Sequence, residues 1–251
     1  MDPAVLREDM VDGLESPPRD VLSDDAVAIA MRDVPRHEFV DDERTAYADR
    51  EHDVLGTRVL APSTVARLFE ALSVAELEGD GTVLIVGAGV GYTAAVAAEL
   101  VGARNVHAVD IARPLVFEAR ENLDGAGYGE VLVDRRDGAD GLPEYAPFDR
   151  ILLEAAVVDP PRTLCEQLSD DGRLVFPRGT GKQRLEAVSA DGERERFGAV
   201  SFDPLLIDGE QSGTVERNRT AREDREHAHR AARSRRGWEQ EWIEWEDAID
   251  G

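Results

Sequence analysis

The feature that most constrains the fold is a short apolar run that ends in alternating glycines and leads into a helical pattern. The run covers residues 83–86, and the loop reads Gly87-Ala88-Gly89-Val90-Gly91. Apolar spacing then predicts a helix over 94–101. Glycines at such a turn let the backbone approach a ligand closely, and the start of the helix offers unpaired N–H groups. The segment therefore predicts a strand–loop–helix unit that holds a ligand at its glycine loop.

The same pattern of apolar runs and helical stretches continues further along the chain. Helical stretches at 114–123 and 160–168 alternate with four apolar runs at 106–109, 131–133, 151–156 and 173–176. This alternation predicts an α/β fold with a doubly wound, mostly parallel sheet, since the strands of such sheets are covered on both faces. After residue 182 the pattern becomes more β-like.

Both ends of the chain differ from this central part. Near the N-terminus, Ser23 is the expected cap of a helix over 24–31 that ends before Pro35, and Pro62-Ser63 opens a second helix. The tail is dense in charged residues. We therefore expect a helical N-terminal segment packed on the core at 1–55, the main domain at 56–207, and a charged C-terminal extension at 208–251.

The extension carries all three tryptophans. Trp238, Trp242 and Trp245 are spaced i, i+4 and i+7, which puts them on one face of a helix. We expect this face to be buried, either against the same chain or against a second subunit. Monomer and homodimer both stay open.

The charge balance limits the partners. Asp and Glu number 53 against 29 Lys and Arg, which gives a net charge of −24. The charges are spread along the chain and predict a solvated acidic surface of the kind found in high-salt cytoplasm; an acidic face for a basic partner is the alternative. Nucleic-acid binding is disfavoured because phosphate contacts need clustered positive charge.

Cysteine and apolar content bear on the compartment. Cys165 is the only cysteine, so no internal disulfide is expected. We expect no signal peptide, no membrane span and a cytoplasmic location. The five histidines show no metal-ligand spacing, so we expect no metal site.

The form of the glycine loop indicates the ligand. A dinucleotide fingerprint would need glycine at position 92, where Tyr92 stands. The tighter Gly-x-Gly-x-Gly form is usual for S-adenosylmethionine sites. Asp110 ends the next strand and is placed to accept hydrogen bonds from ribose hydroxyls. The alternative is an ordinary glycine turn with Asp110 as a strand-end residue.

Several blocks, in the same order, resemble the protein-L-isoaspartate O-methyltransferase family. They cover about residues 25–205, and Asp171 replaces one glycine of the last block. The blocks are Val34-Pro35-Arg36-His37-Glu38-Phe39-Val40, Ala46-Tyr47-Ala48-Asp49, the glycine loop through Ala94, Asp137-Gly138 with Gly141, Ala146-Pro147-Phe148-Asp149-Arg150-Ile151, and Pro161 through Pro177.

The resemblance implies a class I, Rossmann-like methyltransferase that transfers methyl from S-adenosylmethionine to an isomerised Asp or Asn residue of a protein or peptide. A carboxylate is already a nucleophile, so catalysis is mostly alignment, and we assign no catalytic residue. Asp137-Gly138 is expected beside the adenine. The expected cofactor-binding residues are Gly87, Ala88, Gly89, Gly91, Asp110, Ile111, Asp137, Gly138 and Glu154.

The chain departs from the family in its substrate loop. Leu60 stands where the family has a serine whose hydroxyl is associated with the substrate, and leucine cannot form that hydrogen bond. Ser63 or Thr64 is a candidate replacement hydroxyl. The expected substrate loop comprises Arg58, Val59, Leu60, Ala61, Pro62 and Ser63.

The cofactor side departs as well. Ile85 stands where the family usually has an acid, and Ala88 and Val90 replace Thr and Ser. Glu154 either supplies the missing acid or is a surface residue. Three hypotheses follow: an isoaspartate methyltransferase with a reworked pocket, a methyltransferase for another acceptor, or a regulatory paralogue that binds S-adenosylmethionine with little catalysis.

Overall fold

The computed structural model describes residues 2–77 and 81–206, which belong to one compact unit, Met1–Asp208. Two helices begin the chain, α1 (Pro3–Glu15) and α2 (Asp25–Asp33), and a 3-10 turn at Arg36–Phe39 follows. The Trp-bearing extension expected at 208–251 lies outside the described residues.

The start of α2 differs from the sequence prediction. Asp24, not Ser23, is the N-cap, and its carboxylate accepts from the N–H groups of Ala26 and Val27. The Ser23 hydroxyl instead donates to Glu70 Oε2 at 2.9 Å. Adjacent Ser and Asp are both good caps, and the tertiary contact with Glu70 decides between them.

A small hairpin precedes the main sheet. Strands β1 (His52–Val54) and β2 (Thr57–Val59) are antiparallel and join through Leu55 and Gly56, whose φ angles are 50° and 81°. Positive φ at both turn positions suits the twist of a two-residue hairpin. The division expected after residue 55 falls inside this turn, and α3 (Pro62–Leu72) follows the hairpin directly.

The main sheet confirms the predicted α/β class. It has seven strands in the order β5-β4-β3-β6-β7-β8-β9, parallel from β5 to β7 and antiparallel from β7 to β9. Short 3-10 turns lie at Val74–Glu76 and Ala103–Asn105. The remaining elements are β3 (Val83–Val86), α4 (Tyr92–Val101), β4 (Val106–Asp110), α5 (Arg113–Gly125), β5 (Leu132–Arg135), β6 (Phe148–Leu153), α6 (Arg162–Cys165), β7 (Leu168–Arg178), β8 (Gln183–Ser189) and β9 (Arg194–Val200).

The two faces of the sheet are covered differently. One face packs against buried side chains of α1 to α5. Among the described residues, the other face is covered by α6 and by the loop that carries Leu142. The helix predicted over 160–168 is too long, because α6 covers only Arg162–Cys165 and β7 begins at Leu168. Cys165 is half-buried and packs against this second core.

The strand order creates a crevice at one edge of the sheet. The chain leaves β3 towards β4 on one side, whereas it leaves β6 towards β7 on the other. Ligands of open α/β sheets bind where neighbouring strands diverge in this way, at their carboxyl ends. Among the described residues, no helix combines the length and apolar character needed to span a bilayer.

Candidate active site

The glycine loop follows β3 and adopts a left-handed backbone. Gly87, Gly89 and Gly91 have φ angles of 92°, 53° and 97°. The N–H groups of Gly87 and Ala88 both donate to the carbonyl of Val109, at 2.9 and 3.0 Å, and Gly91 donates to Ala88. These amides are therefore satisfied within the protein. The glycines lack a β-carbon, so a ligand can approach the backbone of the loop closely.

Gly91 is also required by packing. A β-carbon there would lie 3.1 Å from Leu123 Cγ and 3.3 Å from the Ala119 carbonyl oxygen. Both neighbours belong to α5, so the third glycine of the loop lets α4 begin directly against α5.

Asp110 lies at the end of β4, beside the loop. Its Oδ2 accepts from the Gly89 N–H at 3.0 Å and its Oδ1 from the Ala112 N–H at 2.8 Å. Burial raises the pKa of this carboxyl, against the opposing effect of its backbone hydrogen bonds. Each carboxylate oxygen can accept a second hydrogen bond. Asp110 therefore orders the loop and keeps acceptor capacity for a ligand.

Three further expected cofactor-binding residues, Asp137 and Gly138 on the adenine side and Ile111, follow the ends of the next strands. A β-carbon on Gly138 would lie 2.5 Å from Val86 Cγ1, which places Asp137-Gly138 against the end of β3. The Asp137 carboxylate accepts from the Ala139 N–H at 2.9 Å. Ile111 follows Asp110 directly, and its carbonyl accepts from Arg135 Nε at 3.3 Å. The structure thus brings these residues to the same edge as the glycine loop.

Glu154 follows β6 and faces the crevice. Its Cβ would be 3.5 Å from a β-carbon on Gly87, so it lies directly beside the loop. Its Oε1 is buried without a hydrogen-bond partner among the described residues. Burial raises the pKa of Glu154 to about 8; a hydrogen bond from Thr93 opposes the shift and the charge of Asp110 adds to it. Glu154 is therefore an acid with a shielded carboxyl oxygen at the carboxyl end of β6.

The expected substrate loop approaches from the hairpin. A β-carbon on Gly89 would lie 3.9 Å from Thr57 Cγ2 and Oγ1. Arg58, on the opposite face of β2, pairs with Glu51 at 2.8 Å and Asp203 at 3.4 Å. Leu60 is buried, as is Val59, and Pro62 begins α3. The hairpin therefore brings Thr57 next to the glycine loop, while Leu60, in the expected substrate loop, is part of the core.

Three residues of this region were not predicted as site residues from the sequence. Thr57 would lie 3.9 Å from a β-carbon on Gly89, Thr93 limits the rise in the pKa of Glu154, and Leu205 Cδ1 would lie 3.4 Å from a β-carbon on Gly138. Thr93 directly follows the first residue of α4, so its place after the glycine loop was a usable signal. Leu205 carried no such signal, because its position depends on the path of the chain after β9.

These features fit the cofactor suggested by the loop. S-adenosylmethionine carries a sulfonium and an amino group, and both suit an acid such as Glu154 with an unpaired buried oxygen. Its ribose suits the remaining acceptor capacity of Asp110. The glycine loop lies between these two acids, as its contacts with Glu154 and Asp110 show.

The fold and the crevice together define a class I methyltransferase. A family model described as protein-L-isoaspartate(D-aspartate) O-methyltransferase matches residues 7–205. The chain belongs to this family, as its sequence motifs indicated, and its cofactor is S-adenosylmethionine.

Relatives and a solved structure agree with this assignment. A protein-L-isoaspartate O-methyltransferase of Methanosarcina mazei is 40% identical over 209 residues, covering 80% of this chain and 83% of the relative. One from Aromatoleum aromaticum is 42% identical over 192 residues, covering 74% and 86%. A Plasmodium falciparum methyltransferase structure, in complex with S-adenosyl-L-homocysteine, has the same fold with a TM-score of 0.71 at 20% identity, covering 80% of this chain and 98% of that one.

The raised pKa of Glu154 predicts a pH-dependent stability. The folded-state value of about 8 lies above the ordinary value of 4.5. The contribution of this group is therefore fully present below the ordinary value and is lost as the pH rises towards 8. Between these limits the free energy of unfolding should fall by up to about 1.4 kcal/mol per pH unit on account of one proton. Denaturant unfolding of the wild type and Glu154→Gln over this range measures the effect, because the variant lacks the titration. Parallel curves of unfolding free energy against pH for the two proteins would contradict a raised pKa for Glu154.

Proposed function

We propose that this protein transfers a methyl group from S-adenosylmethionine to the carboxylate of an isoaspartyl residue in damaged polypeptides. The observation that carries the proposal is the contact between the hairpin and the glycine loop. A β-carbon on Gly89 would lie 3.9 Å from Thr57, and residues 58–63, the proposed substrate loop, follow Thr57 directly in the chain. A peptide held by that loop presents its carboxylate at the mouth of the sheet.

The chemistry is shared between cofactor and chain. The cofactor supplies an activated methyl group on a sulfonium, and the acceptor carboxylate needs no general base at neutral pH. The residues of the chain then act by binding and alignment. Asp110 would hold the ribose, and Glu154 would lie near the sulfonium and amino group of the cofactor, so that the methyl group is aligned with the acceptor carboxylate.

Leu60 is the reason to expect modest activity on isoaspartate. Its side chain is buried and offers no hydroxyl to the substrate. Ser63 is the second residue of α3, and its N–H donates to Asp49 Oδ1. We therefore expect turnover of an isoaspartyl peptide to be weak compared with a relative that carries the serine.

A methyl-transfer assay with an isoaspartyl peptide tests this proposal. We expect measurable transfer by the wild type and a gain for Leu60→Ser relative to Leu60→Ala. The two variants lose similar side-chain volume, so the ratio of their kcat/KM values isolates the effect of the hydroxyl. A hydrogen bond to a charged carboxylate is worth about 1.5–3 kcal/mol, or about tenfold or more in kcat/KM. Equal rates for the two variants would show that position 60 has no polar role in this protein.

The same assay separates the other candidate functions, which Leu60 also supports. Transfer to a different carboxylate or amine, with the isoaspartyl peptide inert, would establish another acceptor. Calorimetric binding of S-adenosylmethionine without transfer to any acceptor would establish a regulatory, cofactor-binding role.

We propose further that the protein works in a reducing, salt-rich cytoplasm without nucleic-acid partners. The net charge of −24 and the single cysteine support this. We also propose that the chain comprises three segments, 1–55, 56–207 and 208–251. The protein is proposed to be a monomer or a homodimer. Size-exclusion chromatography of the chain with and without residues 237–251 tests the assembly.

A further inference from the structure

A fully buried arginine lies beneath the substrate loop. Arg36 Nη2 donates to the carbonyl of Leu60 at 2.6 Å, and its Nε donates to the carbonyl of Ala46 at 2.8 Å. The guanidinium also lies 4.5 Å from the ring centre of Tyr92, the first residue of α4. One side chain therefore connects the N-terminal segment, the substrate loop and the helix that leaves the glycine loop.

An aspartate holds the other end of the same loop. Asp49 Oδ1 accepts from the Ser63 N–H at 2.9 Å, and its Oδ2 accepts from Arg19 Nε at 2.7 Å. Ala61 is the N-cap of α3 and supplies no side-chain hydrogen bond, so Asp49 provides from a distance what a capping side chain would provide locally. The two contacts, at Leu60 and Ser63, bracket the loop.

Burying a guanidinium is costly, and the Arg36 side chain makes its hydrogen bonds to backbone carbonyls. Burial lowers the pKa of Arg36, which reflects that cost. Its Nη1 has no hydrogen-bond partner among the described residues. An apolar side chain could fill this space, but it could not fix the direction of the Leu60 carbonyl. The contacts therefore point to a role in loop geometry.

We propose that Arg36 and Asp49 are positioning residues that clamp the substrate loop at Leu60 and Ser63 and set it against the cofactor-binding end of α4. This inference rests on the proposed function. Leu60 offers no hydroxyl, and the hydrogen bond from Arg36 fixes the direction of its backbone carbonyl. Small displacements of a substrate-positioning group can cost about a hundredfold in rate.

The chain offers matched controls at the opposite edge of the sheet. Arg150 is also buried and donates to a backbone carbonyl, that of Ser73, at 3.2 Å. Asp149 also accepts from a backbone N–H, that of Thr82, at 2.8 Å. Both residues lie at the start of β6, away from the crevice.

The test compares Arg36→Lys with Arg150→Lys, and Asp49→Ala with Asp149→Ala. We expect the two variants of each pair to lose similar thermal stability. Only Arg36→Lys and Asp49→Ala should lower kcat/KM for an isoaspartyl peptide, by about 10- to 100-fold, with little change in the Kd of S-adenosylhomocysteine. Asp49→Ala should also speed hydrogen exchange over residues 60–64 of the ligand-free protein. This milder variant keeps the test decisive if Arg36→Lys does not fold.

Two results would overturn the clamp: equal losses of kcat/KM in test and control variants, or unchanged exchange over 60–64 in Asp49→Ala. If the wild type itself methylates no isoaspartyl peptide, the proposed function fails. The exchange measurement then still decides whether the clamp exists.

Discussion

Replacing Asp110 by alanine is expected to weaken S-adenosylmethionine binding by about 1–3 kcal/mol, or about 5- to 150-fold, as for the loss of hydrogen bonds to a buried charged group. The carboxylate is placed to accept from the ribose, and it also holds the Gly89 N–H. The variant therefore removes a ligand contact and loosens the loop together. Isothermal titration calorimetry in high-salt buffer measures the change.

Two further variants give this measurement its meaning. Asp110→Asn keeps the shape and one acceptor oxygen, so it should retain more affinity than the alanine variant. Glu130→Ala removes an exposed carboxylate paired with Arg104 and should leave binding unchanged. Full affinity in Asp110→Ala would remove Asp110 from the cofactor site.

Replacing Gly91 by alanine is expected to destabilise the protein by about 2–4 kcal/mol. The residue needs a positive φ of 97°, and the new β-carbon would press on Leu123 and on the Ala119 carbonyl. Moving α5 to relieve this contact would displace the helix that α4 packs against. Denaturant unfolding measures the loss, and cofactor titration should show weaker binding as well.

Gly127 provides the matched control for this prediction. Its φ is 92°, but a β-carbon there would meet nothing within 4 Å. Gly127→Ala should therefore cost only the backbone strain, about 1–2 kcal/mol. If the two alanine variants are equally stable, packing against α5 is not what requires glycine at position 91.

Local patterns predicted the parallel part of the sheet, because each of its strands contains a short apolar run. The start of β7 escaped prediction for a physical reason. Residues 168–172 include Ser169, Asp170, Asp171 and Gly172, whose composition is typical of a turn. Leu168 pairs with Phe148 of β6 and Arg173 pairs with Arg150, so residues 169–172 form an irregular stretch between two non-local pairings. The pairing of Leu168 also takes this residue out of the helix predicted over 160–168.

The candidate site was likewise predicted where its residues lie in one local unit and missed where they depend on distant contacts. The glycine loop and Asp110 were foreseen because the chain places them within one strand–helix–strand unit. For Glu154, the sequence left a surface position open, and only the neighbouring end of β3 shows that its Oε1 is shielded. The contact between Arg36 and Leu60 spans 24 residues and depends on how the N-terminal segment packs. No local spacing indicates such a contact.

The internal hydrogen bonds of the glycine loop have a consequence for ligand exchange. The amides of Gly87, Ala88, Gly89 and Gly91 are held by Val109, Asp110 and Ala88 within the protein itself. The loop is thus preorganised, and binding need not supply the conformational entropy of ordering it. A methyltransferase must release its demethylated cofactor after every turnover. A rigid cradle lets it exchange one cofactor form for the other without folding and unfolding the cradle in each cycle.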